Sequence, residues 1–255
     1  MKAQSRMPKW AQAAFPVLTL LALVVIWECA VKGLKVPQWM LPAPTDIAHV
    51  SIDWGKDLMR HGWVTFYETV IGFGLALVIA LPVAVLIAYT PLFRHTIYPA
   101  LLALQSVPKV ALAPLITLWL GFGVFPKVVV VFLVCFFPIV VSAITGLEST
   151  TRSRVDLMRS MQATSWQIFV RLRIPEAMPH ILVGCKIGIT FAVIGAVIGE
   201  FVGAEEGLGY LIMTSTAQSR TPLAFASLIL LTGISIGLFY LIEGIEKLLI
   251  RWEAH

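Results

Sequence analysis

The chain has 255 residues, 58% of them hydrophobic and 13% charged, with a mean hydropathy of +0.88 and a formal net charge of +5. A soluble core of that size cannot bury so much apolar surface, so an all-α integral membrane protein is expected and a soluble globular class is excluded. The basic residues gather between apolar runs, where they orient a chain in a bilayer, and this argues against a nucleic-acid surface.

A helix needs about 20 apolar residues to cross the roughly 30 Å hydrocarbon core, and six segments qualify, at about 12–31, 63–90, 98–121, 124–147, 180–203 and 223–246. The first follows a basic start, as a secretory signal does. It ends in Trp27-Glu28-Cys29 without a small-residue cleavage site, so a retained helix is expected. Between the first two spans, "LPAPTDIAHV" places Thr45 as a helix N-cap with Asp46 in the first turn, which predicts a short helix on the outer surface. Pro82 should bend the long second span.

The third span carries Lys109 near its middle, flanked by Pro108 and Pro114 and preceded by Gln105 and Ser106. Two prolines free backbone groups that neighbours or water must satisfy, so this segment is expected to line a cavity, where a lysine suits an anion. The alternative is that the segment dips toward one surface and Lys109 reaches headgroups. The remaining ionisable residues near or in spans, Glu28, Glu68, Lys186 and Glu243, are read as interfacial or snorkelling groups. Glu200, one to two turns inside the outer end of the fifth span, is either a helix-pairing partner or a pathway residue. Along that span Gly184, Gly188, Ala192 and Ala196 form one ridge of small residues and Gly195, Gly199 and Gly203 a second. Such ridges permit close helix packing within a subunit or at a dimer axis. Cys29, Cys135 and Cys185 have no metal or redox spacing and are read as small buried side chains.

About thirty residues, 148–178, separate the fourth and fifth spans. Val155, Leu157, Met158 and Met161, then Ile168, Phe169 and Leu172, recur at helical spacing and predict two short amphipathic helices. Thr164 with Gln167 fits a capping box at the start of the second, so the break belongs near 162–164, and Pro175 is expected to close that helix. With the N-terminus inside, cytoplasmic segments carry eleven Lys and Arg against six outside, which puts both termini and this loop in the cytoplasm. Its apolar face lies on the membrane or fits a groove on a partner.

The loop resembles that of binding-protein-dependent ABC importer permeases, whose pattern runs Glu-Ala-Ala, three residues, Gly, nine residues, then Ile-x-Leu-Pro. Aligned on the terminal proline, Asp156, Leu157 and Met158 stand at Glu-Ala-Ala, Gln162 at Gly, Leu172 at Ile and Ile174-Pro175 at Leu-Pro. Leu and Met are bulkier than the two alanines, and Gln162 adopts a left-handed turn less cheaply than Gly, by about 1 kcal/mol or more. "LPAPTDI", "SVPKVALAPLITLWLGFG", "FFPIVVSAITGL" and "GEFVGAEEGLGYLI" extend the resemblance to the permeases of sulfonate, taurine, nitrate and pyrimidine-precursor importers.

The resemblance implies a type I importer permease of about six helices in the bacterial cytoplasmic (inner) membrane, with residues 1–255 forming one transmembrane domain. It implies a second permease copy, an ABC ATPase dimer carrying ATP and Mg, an extracytoplasmic solute-binding protein, and passage of a small anionic solute of one of those four types. It also assigns ATPase coupling to Asp156, Leu157, Met158, Met161, Gln162, Ala163, Gln167, Leu172 and Pro175. A substrate pathway would draw on Lys109, Gln105, Ser106 and Glu200. The chain has no phosphate-binding G-x-x-x-x-G-K-[ST] loop, no H-E-x-x-H and no G-x-S-x-G, so it is read as a transport subunit that binds no cofactor or metal, not an enzyme. The rival reading is an ion-coupled secondary transporter with Glu200 and Lys109 as coupling groups.

Overall fold

The computed structural model describes residues 9–250, and among these every regular element is helical. Lys2, Arg6 and Arg251, which contribute to the charge bias, lie outside the described residues. The order is α1 (Lys9–Gly33), α2 (Pro44–Asp53), α3 (Gly55–Tyr89), α4 (Pro91–Gln105), α5 (Lys109–Leu120), α6 (Val124–Glu148), α7 (Arg152–Ser160), α8 (Ser165–Ile168), a π turn (Phe169–Arg173), α9 (Ile174–Gly203), α10 (Leu208–Ala217) and α11 (Thr221–Leu249).

Among the described residues four runs, α3, α6, α8 through α9, and α11, are long and apolar enough to cross a membrane. The expected third span is not one rod. It is divided into α4 and α5, bent by 98° across Ser106, Val107 and Pro108. Pro108 supplies the cause, because it disfavours helical backbone at the residue before it and cannot donate to the preceding turn. By contrast α3 continues as one helix through Pro82.

The centre of the molecule is the α6–α9 pair, with α3 packed across both, and its core holds Val131, Cys135, Ile139, Ala143, Cys185, Ile189, Ala192 and Ala196. The glycine ridges of α9 explain the approach. A Cβ on Gly184 would lie 2.5 Å from Ser142 Cβ, on Gly188 2.9 Å from Ile139 Cγ1, on Gly195 2.9 Å from Val131 Cα and on Gly199 3.2 Å from Lys127 Cα. Lipid offers no hydrophobic force between helices, so association depends on such backbone proximity. Within this chain, then, both ridges pack against neighbours of the same subunit.

Peripheral elements are tied at the two ends. At one end α1 is held where Trp27 meets Phe225 and where Glu28 accepts the Thr45 N–H at 3.1 Å and hydroxyl at 2.8 Å. Thr45 is therefore not the N-cap of α2. That position is Ala43, whose N–H donates to Asp46 at 3.2 Å, with Pro44 opening the helix. At the other end Lys186 of α9 donates to Glu246 of α11 at 2.6 Å, and Arg94 pairs with Glu148. Cys135 and Cys185 are buried as expected, whereas Cys29 is exposed on α1.

The packing predicts unequal effects of adding a methyl group. Gly195→Ala forces α6 and α9 apart and should cost about 1–3 kcal/mol, whereas a Cβ on Gly237 of α11 meets nothing within 4 Å. Thermal unfolding of the purified protein should show a lowered Tm for Gly195→Ala and an unchanged or raised Tm for Gly237→Ala. Equal melting would remove the close approach as the cause.

Candidate functional site

The loop between α6 and α9 is built by local rules. Helix α7 ends in a Schellman arrangement, with the Ala163 N–H on the Met158 carbonyl at 3.0 Å and the Gln162 N–H on that of Arg159 at 2.9 Å. This places Gln162 at φ 59°, so the chain adopts the left-handed turn at the position where the family pattern has glycine. The capping box follows. The Thr164 N–H donates to Gln167 Oε1 at 2.8 Å and the Gln167 N–H to Thr164 Oγ1 at 3.3 Å.

Beyond α8 the helix does not close at Pro175. A π turn, in which the Ile174 N–H donates to the Phe169 carbonyl, carries the chain directly into α9. The widened turn changes which carbonyls face Pro175, so its missing N–H and its ring are accommodated without a break. Arg173 lies 4.8 Å over the Tyr89 ring, and Phe169 stacks edge-on to the same ring at 5.4 Å, tying the loop to the end of α3. Arg154 pairs with Glu176.

Val155 and Ile168 turn inward, whereas Leu157 is 62% exposed and Met161 72% exposed. Met158 is half-buried beside them. Asp156 stands in the second turn of α7, not at its start, and reaches Arg159 at 3.5 Å on the surface. Ala163, Leu172 and Pro175 are half-buried and Gln167 is exposed. Sequence reasoning missed Trp166. It is 70% exposed and lies 5.6 Å from Phe169, a third large apolar side chain left open on this loop. An aromatic between the two capping-box residues was the available signal. Arg152, Arg154 and Arg159 are exposed on the same helix α7 as Leu157.

The proposed pathway residues fall in two places. Lys109 opens α5 at the bend, with Nζ 5.0 Å from the centre of the Phe137 ring and 3.4 Å from the Gln105 carbonyl, and Gln105 and Ser106 are exposed beside it. Glu200 is fully buried near the opposite end of α9. It accepts the Thr65 hydroxyl at 2.7 Å and the Gly209 N–H at 2.5 Å. The Leu208 N–H donates to Thr65 Oγ1 at 2.8 Å and the Gly207 N–H to His61 Nδ1 at 2.9 Å. Three successive N–H groups at the start of α10 are thus satisfied by side chains of α3 and α9, as a buried helix start requires.

One turn from Thr65, Glu68 is also fully buried, paired with Lys127 of α6, itself 6% exposed. The sequence reading took Glu68 as interfacial, and Lys127 is one of the six Lys and Arg it counted outside. Hydropathy weighs each residue alone and cannot see that opposite charges on two helices neutralise each other. This pair borders a cleft of about 750 Å³.

Known proteins agree with this architecture. The chain is 37% identical to the formylaminopyrimidine transport permease protein ThiX of Halalkalibacterium halodurans, covering 95% of this chain and 97% of that protein. It is 35% identical to the riboflavin transport system permease protein RibX of Chloroflexus aurantiacus, over 96% and 92%. It is also 26% identical to the putative aliphatic sulfonates transport permease protein SsuC of Bacillus subtilis, over 91% and 84%. A solved structure of the MetNI methionine ABC transporter in an inward-facing conformation superposes with a TM-score of 0.69 at 23% identity, covering 78% of this chain and 99% of that one. Residues 76–253 match the family described as the binding-protein-dependent transport system inner membrane component, and the chain, a multi-pass all-helical ABC transporter permease, belongs to that family.

Proposed function

We propose that the chain is the transmembrane subunit of a bacterial ABC importer in the cytoplasmic membrane, working as a homodimer on a small nitrogen heterocycle of the pyrimidine-precursor type. An external binding protein delivers the solute, and a partner ATPase dimer supplies the driving force. The observation that carries this reading is the exposed Leu157, Met161 and Trp166 knob on a loop joined to α9 without a break. A body docking there moves α9, and through the glycine contacts α6 follows. The higher identity to the formylaminopyrimidine and riboflavin permeases than to the sulfonate permease supports a heterocycle. The bend at Ser106–Pro108, with Gln105 and Lys109 beside it, provides exposed polar groups along the proposed path. Glu200, buried behind Thr65, holds the outer connection in shape for it.

Reconstitution tests the reading. The permease with its ATPase and binding protein in proteoliposomes should take up a formylaminopyrimidine, with taurine neither transported nor competing. Uptake by the permease alone under an ion gradient would establish the secondary-transporter rival instead.

Docking has its own test. Burying an apolar side chain of this size contributes about 1.5–3 kcal/mol, so Met161→Arg should weaken association tenfold or more. The variant should insert normally, fail to co-purify with the ATPase and lose uptake. A loop lying on the membrane would tolerate the new cation at the headgroups, so full ATPase recovery with normal uptake would overturn the coupling role.

Orientation and path are checked separately. A single cysteine at Ser153, in a background without native cysteines, should react with an impermeant thiol reagent only from the cytoplasmic side, and labelling in intact cells would reverse the topology. Lys109→Met should slow uptake while leaving ATPase assembly intact, with Lys109→Arg retaining part of the rate. Normal transport by Lys109→Met would remove it from the path.

A further inference from the structure

The cleft of about 750 Å³ lies at the α10 end of the molecule, between the third and fourth turns of α3, the α5–α6 turn and the α9–α10 connection. Its volume falls within the roughly 300–1,000 Å³ range of small-molecule sites. Trp63 and Tyr67, one turn apart on α3, and Phe122 on the α5–α6 turn supply aromatic surface from two sides. All three are exposed, Phe122 by 81%, and Trp63 is held by stacking on Phe66 at 5.5 Å.

The cleft is shaped by backbone requirements. Phe122 stands between Gly121 at φ 81° and Gly123 at φ 130°. A Cβ on Gly203 would lie 2.8 Å from Phe122 Cδ1, so glycine there fixes where the ring rests.

Its charge is equally defined. Lys127 borders the cleft and is backed by the fully buried Glu68, whose Oε2 receives no hydrogen bond. An ammonium has three donors and the pair occupies one direction, so Lys127 retains donors for a further acceptor. At the rim Glu206 pairs with Arg60, while Glu205 is exposed without an ion pair among the described residues. Lys127 is neutralised by Glu68 and Arg60 by Glu206, leaving the carboxylate of Glu205 as the uncompensated charge. A free sulfonate meets repulsion here. A flat neutral or weakly basic ring does not.

We infer that this cleft is the outer receiving site for the solute, and that it selects a flat nitrogen heterocycle carrying an acceptor atom and an exocyclic amino group. The ring stacks on Trp63, Tyr67 and Phe122. Lys127 donates to the ring nitrogen or carbonyl acceptor, and the amino hydrogens face the rim carboxylate of Glu205. Glu68 is a positioning residue that holds the ammonium in place. This inference rests on the heterocycle reading above and assigns that solute a place on this chain.

The test uses 4-amino-2-methylpyrimidine as the probe, with equilibrium dialysis against the permease–ATPase complex in nanodiscs and uptake in proteoliposomes. The wild type should bind the probe saturably and without competition from taurine. Phe122→Ala, an exposed change that leaves folding intact, and the charge-neutral double variant Glu68→Gln/Lys127→Met should each weaken binding tenfold or more. Lys127→Arg, which keeps a donor and a cation, should recover most of it. Unchanged binding in Phe122→Ala and the double variant, or no saturable binding by the wild type up to about 10 mM, overturns the site. The two readings fail differently. Full heterocycle uptake by both cleft variants removes this site and leaves the proposed function standing, whereas wild-type uptake of taurine in place of the heterocycle removes the proposed function.

Discussion

Close backbone contact between α6 and α9 is the constraint on which the rest of the molecule depends. It runs from Gly146, where a Cβ would lie 2.8 Å from His180 Cβ, to Gly199, where one would lie 3.2 Å from Lys127 Cα. A bilayer does not push apolar helices together, so this pair is held by shape and dispersion over its whole length. Helix α3 then lies across it, and the elements at either end attach to this three-helix body. The loop of α7 and α8 joins the two helices of that pair at one end.

Polar groups at the opposite end follow a second rule. Away from water an unmatched N–H or carboxylate is costly, and here Thr65 serves as both donor and acceptor, giving its hydrogen to Glu200 and receiving that of Leu208. Gly209 is required at this spot because a Cβ would sit 2.7 Å from Glu200 Oε2. The same patch keeps Glu68 and Lys127 buried together. Removing one charge from such a pair leaves the other uncompensated, so the pair is best changed as a unit.

Much of this was legible in the sequence because the signals were local. The apolar runs of α3, α6, α9 and α11, the Thr164–Gln167 box and the glycine spacing of α9 each follow from residues close in the chain. The third span failed because hydropathy sums over a window and is blind to direction, so a 98° turn at Pro108 leaves the average unchanged. Pro175 misled because a proline reads as a stop, and only the π turn before it shows how the helix continues. Glu68 with Lys127, and the ring of Phe122 resting on Gly203, join residues far apart in sequence. No spacing rule connects them. Gln162 shows the converse, a residue whose side chain argues against a left-handed turn that the capping groups on both sides nevertheless impose.

The π turn at Phe169–Arg173 sets the phase between the loop and the membrane helix. One extra residue in a helical turn rotates everything beyond it by about 100° relative to an uninterrupted α-helix. The azimuth of Trp166 and the azimuth at which Gly184 faces α6 are thereby offset from the relation an uninterrupted α-helix would give. Deleting one residue within that turn would preserve the composition of both faces while pointing them in incompatible directions. The loop and the membrane helix are therefore indexed to each other by a single inserted residue, like the two ends of a keyed shaft.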